Sequence, residues 1–377
     1  MEDIHEVPLD VVGNAPPAEE PGERLQRETA SVPATLQYAR NVSFAVLSLL
    51  LHTADVASSV AFAVLMLVHR DATPVVEARL NFVLWASLVL GLHVLAGVLV
   101  NFAVLAEGRS YSMRETPRRV RPLEVLICLI PWARSWWAML RHVSVALRRE
   151  VSVSVVERAA HTRLLQAVVE AAPQGVVQTY FLMTMFVWWV PLLSVCLSLV
   201  NASFSYTFFV IFKYYDNVRE FPAAWKVLLV ALNATFTHGG RTFATAMLAF
   251  ALQPWVAVVW VLFITALNLV RWKFKTWEND RLTRIKIISL LETFFVATTR
   301  QKTLYTTFVY VVFTFVFMQR FHVHALAWTV WGITFGALLL GLALSLATWT
   351  IYVRAYEELI YPAESSEKQN AEEYDIT

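Results

Sequence analysis

The chain has 377 residues, 57% of them hydrophobic and only 16% charged, with a formal net charge of +2 and a mean hydropathy of +0.53. That balance excludes an ordinary soluble globular chain and reads as an integral membrane protein, for which no nucleic-acid partner is expected. Two cysteines, Cys128 and Cys196, both lie in apolar runs, so neither a disulfide framework nor a CxxC metal site exists, and no metal or other cofactor is expected.

Residues 1–40 are acidic and proline-rich, fit neither a signal peptide nor a transit peptide, and read as a disordered cytoplasmic tail. Crossing about 30 Å of hydrocarbon takes roughly 20 apolar residues. Such stretches fall at 41–68, 80–106, 162–188, 192–212, 223–252, 254–272, 303–320 and 326–353. Two shorter runs, 122–132 ("PLEVLICLIPW") and 285–297 ("IKIISLLETFFVA"), are too short to cross and read as re-entrant or interfacial. The expected fold is all-α: a polytopic membrane protein with eight transmembrane helices plus two half-inserted helices. The same order of long and short runs occupies 41–212 and again 223–353, which predicts two pseudo-repeats related by an axis along the membrane normal. Residues 354–377 form a second tail.

Orientation follows from Lys and Arg, which concentrate in cytoplasmic loops. With the N-terminus inside, the outer loops carry only Arg70, Arg79 and Arg320, while Arg163 and Arg241 fall inside spans. Both termini are therefore expected in the cytoplasm. The outer connections are too short for a ligand-binding domain. The sequons at Asn41, Asn201 and Asn233 lie in or beside spans, so glycosylation is not expected there.

Several spans carry a polar stripe. In the third, Arg163, Gln166, Glu170, Gln174 and Gln178 fall on one face at 100° per residue. Ser48, His52, Asp55 and Ser59 do so in the first, Ser194, Ser198, Asn201 and Ser205 in the fourth, and Asn233, Thr237, Arg241 and Thr245 in the fifth. Glu292 adds a polar group to the second short run. Pro173 removes a backbone donor and, with Gly175, marks a candidate hinge. Hydroxyl and amide side chains serve as glue between packed spans. Ionised groups cost more, about 2.5–3.5 kcal/mol each at a helix centre, so Asp55, Glu170 and Arg241 should be paired or hydrated. Glu170 and Arg241 are the expected central pair, Gln174 and Gln178 headgroup partners, and Asp55 a second acidic station.

No GxxxxGK[ST] loop, HExxH or GxSxG is present, so enzymatic chemistry and an energy source are not expected. Such stripes suit either a midplane site of an ion-coupled solute transporter or a groove in which lipid headgroups cross while their tails stay in hydrocarbon. A third reading, a membrane scaffold, rests on residues 147–158, where Val151, Val153 and Val155 alternate with serines. Alternation alone favours a strand that a partner could extend, but an interfacial helix or a folded cytoplasmic loop is the expected structure.

The run "LLQAVVEAAPQGVVQTYFLM" resembles the E-[SA]-[AS]-P-Q-x-x-x-Q-x-Y motif of the XK-related (Kell blood group precursor-like) family, with Glu170, Pro173, Gln174, Gln178 and Tyr180 matching. Asp55 in "LLLHTADVASSVAFA", Arg241 in "HGGRTFATAMLAF" and the ending "YVRAYEELIYP" stand in family order, so the resemblance covers about 40–362. Gly175 departs from the leucine usual there, and Ser58 or Ser59 from a second acidic position. The resemblance implies two four-span units with half-inserted helices. It also implies a phospholipid scramblase of the plasma membrane that exposes phosphatidylserine, in some relatives during apoptosis after caspase cleavage of a tail. Asp375 in "AEEYDIT" is the candidate cleavage position. Relatives associate with a single-span accessory protein or a bridge-like lipid-transfer protein, which are the partners implied here besides phospholipids.

Overall fold

A computed structural model describes residues 34–72, 76–112, 122–148, 153–185, 189–218, 222–252, 294–295 and 300–360. The chain separates after Asn41 into two units, and of the first only the start of a helix is described. The described residues are almost entirely helical and contain no strand.

Helix α1 is Ala34–Ala72 and α2 Val76–Ser112; α3 (Pro122–Leu129) and α4 (Ala133–Leu147) follow. Helix α5 (Val153–Gln166) runs through a π-helical turn (Ala167–Ala171) into α6 (Ala172–Met185). Then come α7 (Trp189–Val218), α8 (Ala224–Leu252), α9 (Arg300–Phe321), α10 (Ala325–Ala347) and α11 (Trp349–Ile360). Five of these helices contain stretches long and apolar enough to cross a membrane: Asn41–Val68, Val83–Leu105, Pro191–Tyr215, Arg300–Phe321 and Ala325–Ala347. The protein is therefore a multi-pass, membrane-embedded helical protein.

Several boundaries differ from the sequence reading. Helix α1 begins at Ala34, because the residues after Pro33 are helix-compatible although not apolar enough to count as span. The described parts of the expected spans 162–188 and 223–252 are helical, the first interrupted by the π turn at Ala167–Ala171. The span 254–272, most of the run 285–297 including Glu292, and Asp375 lie outside the described residues. The expected span 326–353 is broken at Thr348, whose N–H and hydroxyl both turn back to the Leu344 carbonyl at 2.9 and 2.7 Å. The short run 122–132 is α3 and its turn, and α3 and α4 meet at 98°, the geometry of a broken span or a re-entrant hairpin. From Val153 onward the alternating segment is helical. Val155, Ala159 and Ala160 are buried there, and that burial outweighs local strand propensity.

Helix α8 packs on α6, α7, α9 and α10, while α7 also packs on α5, α6 and α11. The contact of α8 with α10 is close because Gly341 has no side chain: a Cβ there would stand 2.9 Å from the Thr237 backbone nitrogen. Close approach through small residues is the usual basis of packing in a solvent as apolar as the side chains themselves.

Candidate functional site: a buried polar seam

The π turn explains how one helix serves two polar groups. Pro173 cannot donate a backbone hydrogen bond, and just before it the ladder widens, so that Ala172 N–H reaches the Ala167 carbonyl. An α-helix would keep the five polar residues on one rail; the extra residue in the turn redistributes them. Arg163, Gln166 and Gln178 meet α1 and α7, whereas Glu170 and Gln174 meet α2 and the tip between α3 and α4.

The first group centres on Asp55. Its carboxylate accepts from Ser198 Oγ at 2.6 Å and from Asn201 Nδ2 at 2.7 Å. The amide oxygen of Asn201 accepts from the Arg163 guanidinium, which also donates to Gln166 at 3.3 Å. Gln166 Nε2 lies 3.2 Å from His52 Nε2. Farther along, Gln178 Nε2 donates to Ser59 at 3.3 Å, its carbonyl lies within reach of Ser198, and Ser194 donates to Ser58 at 3.3 Å. Asp55, Arg163 and Gln178 are all buried.

The second group centres on Glu170. One carboxylate oxygen accepts from Trp132 Nε1 at 2.7 Å and lies 3.1 Å from His93 Nδ1, which is 2.7 Å from the Gln174 carbonyl. The other oxygen has no partner among the described residues, and neither do Gln174 Nε2 and His93 Nε2. Trp132 is held in a left-handed conformation with φ of 60°, the only positive φ at a non-glycine residue among those described. Such a backbone is costly for a bulky side chain and persists only where surroundings impose it. Here Asn101 on α2 imposes it. Its amide donates to the Cys128 and Ile130 carbonyls at 3.3 and 2.7 Å, and its oxygen accepts from Arg134 N–H at 3.1 Å. Gly97 leaves room for the indole, since a Cβ there would lie 2.7 Å from Trp132 Nε1.

Arg241 belongs to a separate group. It donates to the Phe295 carbonyl and to Thr306 Oγ1 at 3.1 Å, and lies over the Tyr310 ring at 5.4 Å. The Phe295 ring is stacked between Tyr206 and His238, each at 4.7 Å. Among the described contacts Glu170 and Arg241 do not meet, so the central pair expected from sequence becomes two clusters. Asn233 is further away in role: it ties α8 to the break near Thr348, donating to Thr348 at 3.1 Å and Tyr352 at 2.5 Å and accepting from Thr237 and Ser345. That is glue between helices. Gly175 faces the Thr242 methyl, with 3.5 Å to a would-be Cβ, and is no tight constraint.

Next to Gln178, Thr179 lines an apolar cavity of about 870 Å³ together with Met183, Phe243, Phe317, His324 and Val330. Sequence reasoning missed His93, Trp132, Asn101 and this cavity. A lone histidine in an otherwise apolar stretch was the available signal for His93; nothing local marked the other three. No family model matches the chain, and no curated protein is significantly similar to it.

Proposed function

We propose that the protein is an ATP-independent phospholipid scramblase of the XK-related kind, in which headgroups cross along the seam of Asp55, Glu170, Gln174 and Gln178 while tails remain in hydrocarbon. The observation that carries this reading is a connected run of buried polar side chains, from His52 and Arg163 to Ser59 and Gln178, inside a protein whose outer faces are apolar. Moving an isolated charge into a low-dielectric medium costs tens of kcal/mol, and every 1.36 kcal/mol removed from that barrier is tenfold in rate. The apolar cavity beside Thr179 supports the reading, because a moving lipid also needs a place for its chains. The finer topology proposed is eight spans with two half-inserted helices, both termini cytoplasmic, in the plasma membrane. An accessory single-span protein or a lipid-transfer protein is the partner class suggested by the resemblance, and phosphatidylserine exposure the outcome.

Reconstitution tests this. Liposomes carrying the protein should lose NBD-lipid fluorescence to dithionite faster and further than empty vesicles, without nucleotide. Asp55→Asn or Gln178→Leu should slow that flux about tenfold, the equivalent of 1.4 kcal/mol. No acceleration by the full chain or by a form truncated after Pro362 contradicts the proposal.

One observation favours the runner-up, an ion-coupled solute transporter: the π turn and Pro173 interrupt a helix beside Glu170, and transporters bind substrates at such breaks. Saturable solute uptake driven by an ion gradient, with no lipid flux, is the result that reading requires.

A further inference from the structure

The charges around Glu170 do not balance. Asp55 and Glu170 supply one buried carboxylate to each group, and among the described residues the Arg163 guanidinium, in the Asp55 group, is the one guanidinium bonded into either. Among the described residues, the remaining titratable side chains that face them are His52 on α1 and His93 on α2. Helix α4 presents Trp136 to His52, the tip presents Trp132, and α6 and α7 present amides and hydroxyls. An uncompensated charge held in a dry interior costs several kcal/mol, so one more positive charge belongs in this cluster. Two buried acceptors show where: Glu170 Oε2 and, with the ring hydrogen on Nδ1, His93 Nε2 have no partner among the described residues. The Trp132 and His93 rings, with centroids 4.9 Å apart and planes tilted by 47°, touch each other and form one aromatic wall. A carboxylate oxygen beside an aromatic wall is the chemistry that holds an ammonium group. Among the described residues no three His, Cys, Asp or Glu side chains are grouped to hold a metal ion, so a monovalent organic cation fits the site better.

We infer that Glu170, with His93 and Trp132, is an exchange station at which a proton shared between Glu170 and His93 gives way to the ammonium group of a passing lipid headgroup. One proton leaves to solvent as one ammonium enters, so the cluster keeps its charge. The inference rests on the lipid-pathway reading and narrows its substrate: headgroups bearing an ammonium move faster than anionic headgroups without one, and acid slows them by competition.

The test uses the full chain in liposomes with short-chain NBD lipids labelled on the acyl chain, read by albumin back-extraction at about pH 8 and about pH 5, a range spanning ordinary histidine titration. The lipids are phosphatidylcholine, whose quaternary ammonium is always charged, and phosphatidylglycerol, which has none. At the higher pH phosphatidylcholine should move about tenfold faster than phosphatidylglycerol, and acidification should remove most of that advantage. The isosteric Glu170→Gln variant, checked for a monodisperse elution profile, should move both lipids alike at both pH values. Equal flux of the two lipids without pH response, or a pH response that survives in Glu170→Gln, overturns the inference while leaving the lipid pathway standing. Tetramethylammonium chloride separates a headgroup site from one for free cations: inhibition of both lipids equally by millimolar salt overturns the headgroup assignment. Movement of neither lipid at either pH overturns the pathway itself.

Discussion

Arg163→Met is expected to destabilise the protein by about 3–5 kcal/mol, the range for removing one partner of a buried charge network. Arg163 is fully buried, and its guanidinium reaches Asp55 through the Asn201 amide, which accepts from one and donates to the other. Methionine keeps much of the volume and apolar stem, so the loss reports charge and hydrogen bonding more than a cavity. Asp55 then retains Ser198 and Asn201 as donors but no arginine or lysine bonded into its group among the described residues. The check is a double-mutant cycle read as the unfolding midpoint in detergent. Asp55→Asn should cost less in the Arg163→Met background than in the wild type, by about 0.5–3 kcal/mol of coupling. Strict additivity would mean that Arg163 and Asp55 do not belong to one network.

Trp132→Gly should raise resting lipid flux at least about tenfold. The indole donates to Glu170 at 2.7 Å and covers the second polar group, and a hydrogen bond to a charged acceptor contributes about 1.5–3 kcal/mol. Since each 1.36 kcal/mol is tenfold in rate, removing that cover is enough for the change. Glycine is the informative replacement because it adopts the left-handed turn at no steric cost, so the hairpin tip keeps its path while losing its side chain. Gly97→Ala approaches the same contact from α2. Its Cβ would fall 2.7 Å from Trp132 Nε1 and should push the indole off Glu170, again raising flux. Flux measurements on both variants weigh the indole's two roles, cover over the second polar group and wall of the Glu170 station; a fall in both would mean that the cover does not limit flux.

Membrane class, all-α content and the burial of Asp55, Glu170 and Gln178 were legible because hydrocarbon forces long apolar runs and makes each polar residue within them conspicuous. Partner choice was not. A helical wheel shows which residues share a face, but contains no term for the neighbouring helix, so Glu170 was matched with the only deep arginine of the fifth span while the fold gives it His93 and Trp132. The π turn is similarly silent: Pro173 announces a missing hydrogen bond, yet whether a helix kinks, widens or takes water there depends on tertiary packing. Nothing local marks Asn101, because its role exists only once the chain turns back near Ile130 and sets two carbonyls against it. From Val153 onward the segment after Arg149 is the helix expected as one of two alternatives there, with Ala159 and Ala160 buried, so the valine alternation produces no strand among the described residues.

If headgroups pass between α1 and α7, then fastening those helices together must stop them. Ser58 and Ser194 have hydroxyl oxygens 3.3 Å apart, close enough for a cysteine pair to form a disulfide. In a background with Cys128 and Cys196 replaced, Ser58→Cys/Ser194→Cys proteoliposomes should lose their lipid flux on oxidation and regain it on reduction. Undiminished flux through the oxidised, fully cross-linked protein would contradict a route along this seam.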